Sequence, residues 1–164
     1  MERVERIMKH PLYQTHQTRI EELEQDRIFC RHDLQHSLDV ARIMYILILE
    51  QNLSVAKDVV YAAALLHDIG RAVQYEENRP HHEAGASFAA IVLKDCGYEE
   101  GETAIITQAI ASHQISESAE GGEEENAFRR LLYEADKLSR NCFDCAARND
   151  CYWEVHRRNQ TILY

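Results

Sequence analysis

Several histidines and aspartates lie where a helical pattern expects apolar side chains. His36, His113 and Asp136 fall on apolar helical stripes, and His67-Asp68 lies in the apolar run ALLHDIG. A carboxylate on a core face is costly unless it is paired or bound to a cation. Carboxylates and imidazoles that converge from different helices are typical ligands of a divalent metal ion. Each histidine alone also fits a hydrogen-bonded core residue, but two buried aspartates still need cations.

The elements that must position these residues are predicted to be helical throughout. Only two Pro and six Gly interrupt the chain, and no segment alternates like a half-buried strand. Asp33 and Ser54 are expected N-caps, and Gly70 is an expected helix end. Loops are predicted at 71–80 and 115–125. Helices are predicted near 20–28, after Asp33, and over 55–69, 82–96, 102–114 and 126–140.

Length and charge restrict the class of protein. The 164 residues suit one domain, and 18 basic against 28 acidic residues give a net charge of −10. An acidic chain argues against binding polymeric nucleic acid, which requires a basic surface. No apolar run approaches the roughly 18 residues of a membrane span, and the N-terminus lacks the apolar stretch of a signal peptide. We therefore expect a cytoplasmic protein that does not engage membranes.

Three sequence contexts resemble the HD superfamily of metal-dependent phosphohydrolases. They are HSLDVAR around His36, ALLHDIGR around His67-Asp68 and EADKLS around Asp136, in that order over about 100 residues. The resemblance covers roughly residues 28–140. It implies an all-α, single-domain HD helical bundle over 1–164, with a cysteine-containing extension at 141–164.

Two further segments resemble HD proteins with a second metal. HHEAGASFA aligns His81 with a ligand position, and AIASHQ does the same for His113. The resemblance implies a binuclear site with Asp68 as the bridging ligand and two divalent ions. Iron or manganese are expected, and magnesium, zinc, nickel and cobalt stay open. The implied ligands are His36, His67, Asp68, His81, His113 and Asp136.

Two alternatives within this ligand set stay open. His82 is adjacent to His81 and is the other candidate at that position. His32 and His36 stand four residues apart, a spacing that can chelate a metal on one helix. The resemblance favours His36 as the ligand of the pair.

Two cations are expected to complete the catalytic group with Asp68. Arg71 lies three residues after Asp68, where HD proteins commonly have a basic residue that contacts phosphate, and Lys137 directly follows Asp136. Either side chain can offset the negative charge of a substrate. The alternative for each is a surface salt bridge.

The resemblance implies hydrolysis of a phosphoester or phosphoanhydride bond by a metal-activated water. The resemblance implies a small phosphorylated molecule as the partner, a nucleotide in particular, because six-ligand HD proteins include hydrolases that split dinucleoside tetraphosphates. One alternative is a di-iron oxygenase similar to myo-inositol oxygenase, and another is a non-catalytic metal or redox sensor. A homodimer is left open.

The cysteines allow a second kind of centre. Cys142 and Cys145 form a C-x-x-C motif, Cys151 follows six residues later, and Cys30 precedes the first ligand helix. Four thiolates would suit zinc or an iron–sulfur cluster if the two parts of the chain meet. The alternative is a group of buried thiols without a metal.

Overall fold

The structure is a computed structural model that describes residues 1–112 and 123–164. Over these residues it contains helices and no strand, which confirms the predicted all-α class. After the last α-helix, short 3₁₀ helices lie at Cys142–Asp144 and Val155–Arg157. None of the described helices is long and apolar enough to cross a bilayer. The α-helices are α1 Glu2–Lys9, α2 Pro11–Leu23, α3 Leu34–Glu50, α4 Lys57–Leu66, α5 Arg71–Glu77, α6 His81–Asp95, α7 Glu100–Ser112 and α8 Glu123–Leu138.

The core lies between α3, α4, α7 and α8. Helix α3 packs against α4 and α8, and α7 packs against α4, α6 and α8. Each helix contributes its apolar stripe, including Met44, Leu66, Ile110 and Phe128, whose side chains are all fully buried or nearly so. This packing fixes the helix faces that carry the predicted metal ligands.

The start of α3 is as the sequence predicts. The Asp33 carboxylate accepts a hydrogen bond from the backbone N–H of His36 at 2.9 Å. The cap defines the first turn of the helix, and His36 lies in that turn. Local sequence therefore places His36 at the end of α3 that faces the aspartates.

The prediction for residues 55–80 is partly wrong. Helix α4 begins only at Lys57, after Ala56, and Ser54 does not cap it. Residues 71–77, predicted as a loop, form α5 because Ala72 and Val73 give this polar segment a buried face. The helix then ends at Asn78, which adopts a left-handed conformation with φ of 56°.

The predicted helix near 20–28 is also misplaced. Helix α2 spans Pro11–Leu23, and α1 precedes it. Pro11 occupies the first turn of α2, where a missing N–H costs nothing, and the His10 side chain accepts from the N–H of Leu12. The predicted helix over 82–96 corresponds to α6. Those over 102–114 and 126–140 correspond to α7 and α8 within the described residues.

Gly70 allows two backbones to meet beside the site. A Cβ at this position would lie 2.1 Å from the carbonyl oxygen of His81 and 2.6 Å from the backbone nitrogen of Gly85. Any side chain would therefore push α6 away. The absence of one holds His81 close to Asp68, two residues before the glycine.

Candidate metal centre

Asp68 is the carboxylate on which the predicted ligands converge. Its Oδ2 lies 3.0 Å from Nε2 of His67 and 3.7 Å from Nε2 of His36. Its Oδ1 lies 3.5 Å from Nε2 of His81. Two of the predicted ligand imidazoles thus face Oδ2 and a third faces Oδ1.

Asp136 approaches the same imidazoles from α8. Its Oδ1 lies 3.3 Å from Nε2 of His36 and 3.9 Å from Nε2 of His67. Ligand atoms of His36, His67 and Asp68 all lie within 4.8 Å of one another, so this cluster could hold a metal ion. Nitrogen and carboxylate ligands suit divalent ions such as iron, manganese or zinc.

Hydrogen bonds on the far side of the rings set the histidine tautomers. His67 Nδ1 lies 2.7 Å from the carbonyl oxygen of Ala64, an acceptor that selects a proton on Nδ1. His36 Nδ1 lies 3.2 Å from Oγ of Ser139, whose own proton is donated to the carbonyl of Asp136 at 2.8 Å. Both rings therefore direct Nε2 towards the carboxylates, which is the orientation in which a histidine held at Nδ1 offers Nε2 to a metal ion.

The same arrangement recurs at two further histidines. His81 pairs Nδ1 with the side-chain oxygen of Gln74. His32 pairs Nδ1 with Oε1 of Glu24 at 2.5 Å, and its backbone N–H donates to Oε2 of the same carboxylate at 2.8 Å. Four histidines thus share one orientation around the two aspartates.

His32 is a site residue to which sequence reasoning assigned no role. It is 3% exposed, and its Nε2 lies 3.8 Å from Oδ2 of Asp68. Burial lowers the pKa of His32. It precedes the N-cap Asp33, so it does not share a helix with His36. The available signal was its four-residue distance from His36, which suggested an isolated chelating pair instead.

Asp68 remains ionised although it is buried. Burial alone would raise its pKa, but the Arg71 guanidinium and the neighbouring imidazoles outweigh this and hold the pKa well below its usual range. Nε of Arg71 donates to Oδ1 of Asp68 at 2.8 Å. The predicted catalytic cation Arg71 therefore contacts the central carboxylate directly.

Asp136 is ionised for the same reason. Burial would raise its pKa, but a hydrogen bond with His36 and the charges of Arg140 and Lys137 lower it well below the usual value. Lys137 donates to Oδ2 at 2.7 Å, and Arg140 donates to Oδ1 at 2.8 Å. Arg140, which sequence reasoning did not single out, is buried and lies one helical turn after Asp136.

Two of the remaining ligand predictions have different outcomes. His81 is 1% exposed and faces Asp68, whereas His82 is only partly buried, with its ring centroid 5.8 Å from that of His81. The geometry therefore favours His81 over its neighbour. His113 lies outside the described residues, so its role as a ligand stays a prediction.

Four of the five cysteines line one cavity without forming a compact cluster. All five are free thiols, and the cavity of about 320 Å³ is lined by Cys30, Cys142, Cys145 and Cys151. No three of their sulfur atoms, all within the described part of the chain, lie within 4.8 Å of one another. A four-thiolate centre is therefore not assembled in this structure, and it stays a prediction.

A smaller cavity opens beside the carboxylates. Its volume is about 190 Å³, and His32 contributes to its lining. Four cationic side chains line it, namely Arg27, Arg71, Lys137 and Arg140. An anion that enters this cavity meets positive charge next to the histidine and aspartate cluster.

Comparisons with known proteins agree with this geometry. The HD domain profile matches residues 33–141. A protein of Clostridium beijerinckii described as uncharacterized is 38% identical over 164 residues and covers both chains completely. No solved structure matches significantly.

Ribonuclease Y proteins share the same region. The one from Latilactobacillus sakei is 31% identical over 116 residues, and the one from Chloroflexus aurantiacus is 38% identical over 108 residues. These alignments cover 64% and 65% of this chain but only 22% and 18% of the relatives, so the chain spans about a fifth of their length. The profile, the shared region and the convergent histidines and aspartates agree: the chain belongs to the HD domain family, a class of metal-dependent phosphohydrolases.

Proposed function

We propose that this protein is a metal-dependent phosphohydrolase that cleaves a phosphoester or phosphoanhydride bond of a small phosphorylated molecule, a nucleotide in particular. The observation that supports it most is the common orientation of four histidines. Each has an acceptor at Nδ1 and directs Nε2 towards Asp68 or Asp136. A core histidine in a purely structural role has no need for this repeated orientation.

The residues for two metal positions follow from the two sides of Asp68. His36, His67 and Asp136 would share one ion with Asp68, and His81 would contribute to the second ion from the other carboxylate oxygen. His113 is proposed as a further ligand of the second ion. Divalent ions, iron or manganese foremost, would supply a hydroxide at neutral pH and neutralise charge on the phosphoryl oxygens.

The chain's own cations would receive the substrate. Arg71 and Lys137 bind the carboxylates from the side of the smaller cavity, so their remaining N–H groups can donate to phosphate oxygens. Because both side chains are already oriented by Asp68 and Asp136, little reorganisation is needed when phosphate binds. Asp68 and Asp136 stay ionised and hold these cations in place.

A small substrate fits better than a polymer. The chain carries a net charge of −10, and the cationic side chains line a cavity of only about 190 Å³. Ribonuclease Y relatives are named for action on RNA, but the matched region covers only 22% and 18% of their length. An RNA oligomer is therefore a necessary comparison substrate.

The test combines metal analysis with an anaerobic assay. Protein loaded with iron or manganese is expected to release phosphate from at least one member of a nucleotide panel without oxygen, and the Asp68→Asn variant is expected to lose this activity. Asp39→Asn, a change on the solvent side of α3, is the matched control. No release from the full panel would contradict the proposal. Oxygen consumption by an iron-loaded sample would support the oxygenase alternative instead.

A further inference from the structure

We infer that the substrate carries a flat ring that stacks on Trp153, while the substrate phosphate binds the cations of the smaller cavity. The inference rests on the proposed function, because it names the features of the molecule on which that activity would act. A nucleoside monophosphate is the simplest ligand with both a phosphate and a flat ring.

The lining of the cavity suits the two parts of such a ligand. Four cationic side chains and three aromatic side chains line the same cavity of about 190 Å³. A phosphate group that binds the cations leaves the ring it carries beside the aromatic part of the wall.

That wall is aromatic. Phe29, Tyr152 and Trp153 line the cavity together with its four cations. Phe29 and Tyr152 support each other edge to face, with ring centroids 5.4 Å apart. A flat ring attached to a phosphate in this cavity therefore meets an aromatic surface, and aromatic stacking tolerates any base because every base has a π face.

Trp153 lies next to the phosphate-binding cations. Nζ of Lys137 is 5.7 Å from the centre of its ring, and Cζ of Arg140 is 5.8 Å away. Arg157 approaches the ring to 5.1 Å as well. The two side chains that bind Asp136 thus connect the indole with the carboxylate cluster.

Hydrogen bonds from side chains to backbone carbonyls fix the position of this wall. Arg158 donates to the carbonyl oxygen of Trp153 at 2.6 Å and to that of Cys151 at 2.8 Å. Asn159 donates to the carbonyl oxygens of Lys137 at 2.9 Å and Arg140 at 2.7 Å. The segment that carries Trp153 is therefore tied to the end of α8, which carries Asp136.

The aromatic wall lies beyond the matched family region. The HD profile ends at residue 141, whereas Tyr152 and Trp153 come later. The family region would therefore supply the metal ligands, and the segment 142–164 would supply a contact to the part of the substrate that does not react.

The first test uses Trp153 as its own reporter, since it is the only tryptophan in the chain. Full-length protein is titrated with adenosine monophosphate in the presence of a chelator, so that binding is observed without turnover. We expect a saturable change in tryptophan emission. Ribose 5-phosphate, which has the phosphate but no base, is expected to bind about tenfold more weakly, as loss of one stacked base predicts.

Variants separate the two parts of the site in a calorimetric titration. Trp153→Ala is expected to weaken adenosine monophosphate binding about tenfold and leave ribose 5-phosphate unchanged, while Trp153→Phe keeps most of the affinity. Arg27→Gln is expected to weaken both ligands alike, because it removes charge and leaves the aromatic wall. Val155→Ala, an exposed change in the same segment, is the control.

Two results would overturn the inference. One is tryptophan emission that does not respond to adenosine monophosphate; the other is an equal loss of both ligands in Trp153→Ala. Failure of the proposed function looks different: metal-loaded protein would release no phosphate from any substrate although adenosine monophosphate still changes the emission of Trp153.

Discussion

The helical body and the C-terminal segment are built by different forces. The body, which comprises the described residues up to 140, contains all of the buried apolar residues of the described chain except Ala147. The segment 142–164 is instead held by hydrogen bonds from Arg148, Arg158 and Asn159 to backbone carbonyls. Apolar packing thus fixes the metal ligands, whereas polar contacts fix the aromatic wall, which can vary without disturbing the body.

The largest expected effect is on the stability of the body. Phe128→Ala removes a side chain that is 1% exposed, and we expect a loss of about 3–5 kcal/mol in the free energy of unfolding. Ile162→Ala, in the segment and 74% exposed, should change it by less than about 0.5 kcal/mol. Denaturant titration measures both. Similar losses in the two variants would remove the contrast between the regions.

The next largest expected effect is on the affinity of the body for metal. Asp68→Asn is expected to lower metal affinity more than about 100-fold, since loss of a hydrogen-bond partner of a ligand alone costs 10–100-fold. Equilibrium dialysis with manganese measures the change. Circular dichroism should remain helical, and Asp39→Asn should bind metal like the unmodified protein. Full metal retention in Asp68→Asn would disprove its role as a ligand.

The free energy of unfolding of the body should also depend on pH, because Glu24 is held ionised there. Burial alone would raise the pKa of Glu24, but hydrogen bonds from His32 and Tyr75 outweigh it and hold the pKa at about 2. Because the folded-state pKa lies below the unfolded value of 4.5, this stabilisation is present above pH 4.5 and is lost as pH falls towards 2.

Glu24→Gln should therefore destabilise the protein by about 1–3 kcal/mol at neutral pH, and the difference should shrink in acid. Unfolding curves over a pH series measure it. Glu154→Gln, an exposed change in the segment, serves as the matched control and should show no such trend. A constant difference across the series would argue against an ionised Glu24.

The smallest effect tests how the segment is attached. Asn159→Ala removes hydrogen bonds to the carbonyls of Lys137 and Arg140, with an expected cost of about 1 kcal/mol. Limited proteolysis should cut the segment faster while the body stays intact. Gln160→Ala, whose side chain bonds to Arg148 and Val155 within the segment and not to the body, should alter the cleavage rate less. Unfolding of the whole chain would show that the two regions are not separable.

Sequence predicts the body better than the segment for physical reasons. The helical stripes and the Asp33 cap are local signals, so α3 and the position of His36 follow from them. Helix α5 escapes prediction because its two buried residues lie in a polar stretch, and they are buried only by tertiary packing against α2 and α6.

The polar neighbours of the site are harder to predict. Glu24 reaches His32 across eight residues, and Ser139 reaches His36 across 103 residues. Such contacts depend on tertiary packing, so sequence spacing does not reveal them. Motif contexts predict Asp68 and Asp136 as ligands. The contact of Arg140 with Asp136 depends instead on how the chain continues after the end of α8.

The pairing of the buried carboxylates with the chain's own cations bears on how much the fold depends on metal. Arg71 pairs with Asp68, and Lys137 and Arg140 pair with Asp136. Because these cations offset the charge of both buried carboxylates, we expect the fold to depend less on bound metal than that of a zinc finger, which is unfolded without its ion. The supply of ions, rather than the folding reaction, would then decide which metal the protein carries.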